Sequence, residues 1–342
     1  MKSRQSERII HRRRLGIRRV SIVGTGSYVP EKILRNVDLE KMVDTTDEWI
    51  FTRSGIRERH FAREDEATSD MGAAAARRAL ESAGLTADKV DLIIVGTVTP
   101  DMVFPNTACF IQNLLGARNA ACFDLEAACS GFLYGLEVAE HMICAGTTEV
   151  ALVIGAEKLS CLTDWTDRGT CVLFGDGAGA AVLRSGSDGR GIINCVMGSD
   201  GRLTDLLNVP GGGSRNPTSV KTIEQRLHYM KMNGREVFKH AVKAMSEAAS
   251  DVLARSGLSV ADVDWVIPHQ ANVRIIEAIG DRLDIPKEKI FLNLEKYGNM
   301  SAASIPVALD EAVRSGKIHK HDIVLMVAFG GGFTWGASVI EW

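Results

Sequence analysis

The chain has 342 residues, enough for one large domain or two ordinary ones with a substantial core. With 45% hydrophobic and 24% charged residues, 33 glycines and 8 prolines, its composition is that of a soluble globular protein, which excludes extended disorder and collagen-like repeats. The net charge of −3 is unevenly spread: residues 1–19 hold eight Lys or Arg against Glu7, a basic arm read as a solvated extension, and the acidic remainder argues against nucleic-acid binding.

No apolar run approaches the roughly 20 residues of a membrane helix, and the first residues lack the apolar core of a secretory signal, so a cytoplasmic protein without a membrane partner is expected. In chain order, Val20–Val23 reads as a strand, Asp70–Ser82 as a helix, Leu92–Val95 as a strand, Phe132–Cys144 as a helix and Ala151–Ile154 as a strand. This alternation predicts an α/β fold.

The pattern then repeats. Gly84–Gly96 aligns with Gly257–His269 at an offset of 173, with five identities: Gly84/Gly257, Leu85/Leu258, Val90/Val263, Asp91/Asp264 and Ile94/Ile267. Both blocks read as a glycine helix cap, a short loop and a buried strand. Phe123–Glu126 matches Leu292–Glu295 at an offset of 169. Two matches in the same order predict duplicated halves, 20–189 and 190–342, after a basic extension at 1–19. Related α/β halves commonly place their site where they meet, at the carboxyl ends of strands.

Three residues fit that placement. Of seven cysteines, none forms a Cys-x-x-Cys pair, so disulfide frameworks and structural zinc are not expected and most thiols read as small core residues. Cys129 differs, because it precedes a helix in which Phe132, Leu136, Ala139 and Ile143 recur at helical spacing, with Gly146 as the expected cap. Free N–H groups at a helix N-terminus favour thiolate over thiol. His269 ends a buried strand in the second half, and Asn299 lies in a Tyr-Gly-Asn-Met-Ser turn. A nucleophile with nearby donors is an arrangement suited to acyl transfer. The glycine run Gly330–Gly332 offers backbone N–H groups free of a Cβ, so the N–H of Gly331 can join that of Cys129 in an oxyanion hole. Gly24-Thr-Gly26 is not completed to a dinucleotide fingerprint, Gly175–Gly179 lacks the lysine of a phosphate loop, and the eight histidines show no metal pattern. Neither a cofactor nor a metal is expected.

Asp124–Phe132, His269–Arg274 and Asn299, together with Gly24–Pro30, Asp47–Arg59, Asp164–Gly169, Leu173–Gly179 and Gly330–Gly336, resemble β-ketoacyl-[acyl-carrier-protein] synthase III of the thiolase-like superfamily. The resemblance runs from about residue 20 to Trp342. It implies a five-layer αβαβα fold of two similar halves, a homodimer, and the start of type II fatty-acid synthesis. Acyl-CoA, typically acetyl-CoA, would acylate Cys129. Malonyl-carrier protein would then lose CO2, with His269 and Asn299 donating hydrogen bonds to the thioester oxygen, and its enolate would attack the acyl-enzyme.

By the same resemblance, Trp49 and Arg168 bracket the adenine of CoA and Arg53 holds its phosphates. Gln270, Ala271, Asn272, Val273 and Arg274 contact the carrier protein, with Lys239 as a further basic contact. Phe104 crosses the dimer interface to limit the acyl pocket, which Phe174 and Leu206 help to line. Three other readings stand beside this one: a related enzyme of secondary metabolism using a longer or aromatic primer, a Cys-His-Asn hydrolase, and a non-catalytic carrier-protein binder.

Overall fold

In the computed structural model, residues 19–186 and 188–342 are described. Apart from Arg19, whose guanidinium pairs with Glu341 at 2.7 Å, the basic arm lies outside them.

The first sheet has the spatial order Val20–Tyr28, Gly177–Ser185, Val150–Glu157, Leu92–Gly96, Ala121–Leu125. Leu92–Gly96 runs parallel to both of its neighbours and is buried throughout. Its unbroken apolar sequence fits a strand covered on both faces. The second sheet is ordered Trp265–Pro268, Ile323–Gly330, Thr334–Glu341, Gly191–Ser199, with only the first pair parallel.

Three helical layers enclose the two sheets. Helices Thr68–Ala83 and Thr107–Leu115 cover the outer face of the first sheet. Gly131–Cys144 and Ser304–Arg314 lie between the sheets, where Phe132, Leu136, Ile305 and Leu309 join the central core. Gly234–Ser256 and Val273–Leu283 cover the second sheet through Met245, Val252, Ile275 and Ile279. The α/β expectation and its five layers are thus met.

The predicted elements appear with longer bounds. The Asp70–Ser82 helix spans Thr68–Ala83, and the strand expected over Val20–Val23 continues to Tyr28. Gly24 and Gly26 extend that strand because the helix lies directly on it: a Cβ on Gly26 would stand 2.4 Å from the carbonyl oxygen of Ala75. Gly84 and Gly257 cap their helices in the left-handed region, at φ 64° and 71°. The second matched block departs from its partner. Ala121–Leu125 forms an edge strand, but its counterpart is reduced to one bridge between Val266 and Ile290, followed by the short helix Leu294–Tyr297.

Candidate active site

A cavity of about 900 Å³ opens between the two sheets' strand ends, and Cys129, His269, Asn299 and Gly331 all line it. Cys129 lies in a 3-10 turn, Ala128–Ser130, that runs directly into the Gly131–Cys144 helix. Ala128 enters this turn at φ 44°, a left-handed conformation rare for a non-glycine residue. The Gly330–Gly332 turn presses against it so closely that a Cβ on Gly330 would lie 2.6 Å from the Cys129 nitrogen. Thr334 ties the two turns together, its hydroxyl donating to the Ala127 carbonyl at 2.8 Å.

The helix N-terminus is where the sequence predicts it, but the surroundings of the thiol work against the ease of ionisation expected from that position. Burial pushes the Cys129 thiol up to about 12, the neighbouring Ser301 side chain lowers it, and the negative charge of Glu157 raises it further. Desolvation therefore outweighs the helix end in the free protein.

His269 follows the strand Trp265–Pro268 and is held by its N–H to the Val327 carbonyl at 2.8 Å. It is 2% exposed, and burial lowers its pKa to about 3, so the ring is neutral at ordinary pH. Its Nδ1 is buried without a hydrogen-bond partner. Asn299 is fixed by backbone bonds on both sides, to Leu173 and Gly175. Its Oδ1 accepts the Ser301 N–H at 2.8 Å, which leaves the amide NH2 as the group to offer a ligand.

The other predicted residues divide. Phe174 lines the cavity beside Leu159, Leu173 and Met230, but Leu206 does not; Leu207, one residue on, faces in. Phe104 is 82% exposed on a surface loop with Val103 at 92%. Trp49 lies on the helix Asp47–Ser54 with the guanidinium carbons of Arg168 and Arg53 at 4.9 and 5.6 Å from its ring centre. A flat ring held between two groups needs them roughly 7 Å apart. Arg168 therefore occupies the Trp49 face itself, steadied by donating to the Asp44 carbonyl at 2.7 Å.

Gln270 is corrected as a carrier-protein contact. It is fully buried, donates to the carbonyls of Pro268 and Phe291 and accepts from the Asn293 N–H, so it braces the strand end. Val273 packs partly into a core with Ile56 and Leu294. Ala271 and Asn272 line the cavity, Arg274 is exposed at the start of its helix, and exposed Lys239 pairs with Glu236 at 2.8 Å. The amide of Asn272 also donates to the Arg53 carbonyl at 2.9 Å, joining the Trp49 helix to this segment.

Sequence reasoning missed two groups beside Cys129. Ser301, φ 45°, lines the cavity, and Glu157 is fully buried at the end of its strand. The rule that located His269, a polar residue closing an apolar strand, also fits Glu157.

A cysteine at the mouth of a helix, a neutral histidine and an oriented amide around a deep cavity, carried by two sheets in five layers, define a thiolase-like protein. The crystal structure of 3-oxoacyl-[acyl-carrier-protein] synthase III from Aquifex aeolicus superposes with a TM-score of 0.89 at 49% identity, covering 94% of this chain and all of that one. The family described as 3-oxoacyl-[acyl-carrier-protein] synthase III matches residues 123–201, and its C-terminal part matches 253–342. Beta-ketoacyl-[acyl-carrier-protein] synthase III of Caldanaerobacter subterraneus is 57% identical over 94% of this chain and 97% of its own. That of Desulfitobacterium hafniense is 55% identical over 94% and 98%. The chain belongs to the 3-oxoacyl-[acyl-carrier-protein] synthase III family.

Proposed function

We propose that the protein starts fatty-acid synthesis by joining an acyl-CoA, with acetyl-CoA as the first candidate, to malonyl-[acyl-carrier protein], giving a 3-oxoacyl-[acyl-carrier protein], CO2 and CoA. The observation that carries this reading is the convergence of Cys129, neutral His269 and the donor side of Asn299 on one cavity. Cys129 attacks the acyl-CoA carbonyl, and the N–H groups of Cys129 and Gly331 receive the developing oxyanion. CoA leaves, and malonyl-carrier protein enters. His269 and the Asn299 amide donate to its thioester oxygen as CO2 departs and negative charge gathers there; a histidine that stays neutral suits a donor rather than an ion-pair partner. The enolate carbon then attacks the acyl-Cys129 carbonyl, expelling the thiolate.

CoA approaches over Trp49, Arg53 and Arg168, with Arg168 swinging away to admit the adenine, and Arg274 with Lys239 meets the acidic carrier protein. The exposed Met102, Val103 and Phe104 support a homodimer in which a partner subunit covers this loop. Residues 20–189 and 190–342 act as duplicated halves, each supplying one side of the cavity. None of the helices among the described residues is long and apolar enough to cross a membrane, in keeping with work in the cytoplasm on soluble thioesters.

Turnover of a panel of acyl-CoAs with malonyl-carrier protein tests the reading. Condensation with acetyl-CoA or another short primer supports it. Activity only with long or aromatic primers would move the protein to the related enzymes of secondary metabolism, and release of free acid without condensation would make it a hydrolase.

A further inference from the structure

The N–H groups of Cys129 and Gly331 come from turns carried by different sheets. The Cys129 turn follows the strand Ala121–Leu125 of the first sheet, and the glycine turn joins the strands Ile323–Gly330 and Thr334–Glu341 of the second. Each turn is closed within its own segment. The Ser130 N–H donates to the Ala127 carbonyl at 3.0 Å, and the Ala128 N–H to the Glu126 carboxylate at 3.1 Å. In the glycine turn Gly330 pairs with Thr334, and Phe333 exchanges backbone bonds with Asp200 at 2.8 and 3.0 Å. None of these bonds sets the gap between the two donors.

Among the described residues one hydrogen bond does, from the Thr334 hydroxyl to the Ala127 carbonyl at 2.8 Å. The same hydroxyl oxygen stands 3.3 Å from the Gly331 carbonyl oxygen, so the side chain touches backbone on both sides of the gap. A hydroxyl has one proton to give, and the shorter contact takes it. Packing makes the gap exacting. A Cβ at Gly330 would stand 2.6 Å from the Cys129 nitrogen, 3.0 Å from the Ala128 Cβ and 3.2 Å from Thr334 Oγ1, so the turns meet at a donor nitrogen itself. The carbonyl that Thr334 holds belongs to the peptide just before Ala128, whose φ is 44°. Such a conformation persists in a non-glycine residue only where its surroundings hold it.

Taking the N–H groups of Cys129 and Gly331 as the oxyanion hole of the proposed reaction, we propose that Thr334 is a positioning residue for that hole. By tying the Ala127 carbonyl to the glycine turn, it keeps the two donors at the spacing that one developing oxyanion requires. Thr334 lines the cavity, but its proton is committed to backbone, so it acts through the two N–H groups rather than on the substrate. The hole serves the steps at the acyl carbon on Cys129, both formation of the acyl-enzyme and attack by the enolate. Loss of CO2 from the malonyl thioester rests instead on His269 and Asn299. The role of Thr334 is therefore visible as a split between steps.

Thr334→Val keeps the branched shape and removes the hydroxyl, while Ala127 retains its bond from Ser130. In the full chain, single-turnover acylation at saturating acetyl-CoA, with peptide mass locating the label, is expected to slow by roughly 10-fold. That is less than the 10²–10³-fold, roughly, that outright removal of an oxyanion donor costs. The acetyl-CoA concentration giving half the maximal rate stays at the parent value, as does decarboxylation of malonyl-carrier protein added without acyl-CoA. Thr334→Ser, which restores the hydroxyl, recovers acylation. Acylation of Thr334→Val at the parent rate would overturn the proposal, as would equal slowing of acylation and decarboxylation, or a serine variant no faster than the valine one. If Thr334→Val does not fold, Thr334→Ala compared with Thr334→Ser decides by the same rates. Label on a cysteine other than Cys129 in the parent enzyme overturns the nucleophile assignment, and with it the hole on which the proposal rests.

Discussion

At Ala128 and again at Ser301 the backbone adopts a left-handed φ without glycine, 44° and 45°, and each residue opens a 3-10 turn that runs into a helix between the two sheets. The separation, 173 residues, equals the offset of the repeated sequence block. The two turns also pack alike. The first rests on Gly96, where a Cβ would meet the Gly131 carbonyl carbon at 2.8 Å, and the second on Gly155, where it would meet the Ala302 oxygen at 2.1 Å. They differ in which position bears chemistry. In the first turn the second residue, Cys129, carries the thiol; in the second that place is Ala302, and the leading residue, Ser301, supplies a hydroxyl. One backbone device thus brings a thiol to the cavity from one side and a hydroxyl from the other.

Changes at these turns and at the donors facing them break or sharpen that comparison. The largest effect is expected at Cys129: Cys129→Ala should lower condensation by on the order of 10⁴-fold or more, measured as product from acetyl-CoA and malonyl-carrier protein. Removing one donor, by His269→Ala or Asn299→Ala, should reduce malonyl decarboxylation by roughly 10²–10³-fold, while acylation of Cys129 in the absence of malonyl-carrier protein persists. Equal loss of both steps would show that these side chains shape the turn rather than stabilise the enolate. Gly155→Ala should cost about 1–3 kcal/mol of stability by denaturant titration, because the new methyl meets backbone that has little room to move.

The smallest effects concern stability against pH. His269 has a folded pKa, about 3, below its ordinary 6.5, so the unfolded chain binds a proton first and His269 withdraws stability as pH falls from 6.5 toward 3. Glu157 has the opposite sign: its pKa rises from 4.5 to about 7 on folding, so its contribution is present at low pH and lost as pH rises from 4.5 through 7. Glu157→Gln should therefore gain stability at pH 8 relative to pH 5, compared with the parent, in melts at the two values.

The positions of Cys129, His269 and the glycine run were legible because each is a polar or Cβ-free position closing an apolar strand or opening a helix, signals that are local, whereas Asn299 sits in a turn and was singled out only in company with the other two. The state of the Cys129 thiol was not legible. It depends on burial and on Glu157, brought close by a different strand. Gln270 reads as a surface residue beside Asn272 and Arg274, but its partners, Phe291 and Asn293, lie more than twenty positions away. Leu206 and Leu207 are indistinguishable by composition, and a shift of one residue exchanges the face that reaches the cavity. Glu157 stands next to Lys158 and looks like solvated charge until the threonines at 97 and 99 are seen around it.

Whether Cys129 carries the acyl group into condensation is decided by intact-mass and peptide measurement after exposure to acetyl-CoA, followed by addition of malonyl-carrier protein. One acetyl group is expected on Cys129, discharged into 3-oxoacyl-carrier protein when the second substrate arrives. An acetyl group found on another cysteine, or lost from Cys129 as free acetate with no carbon–carbon bond formed, would contradict it.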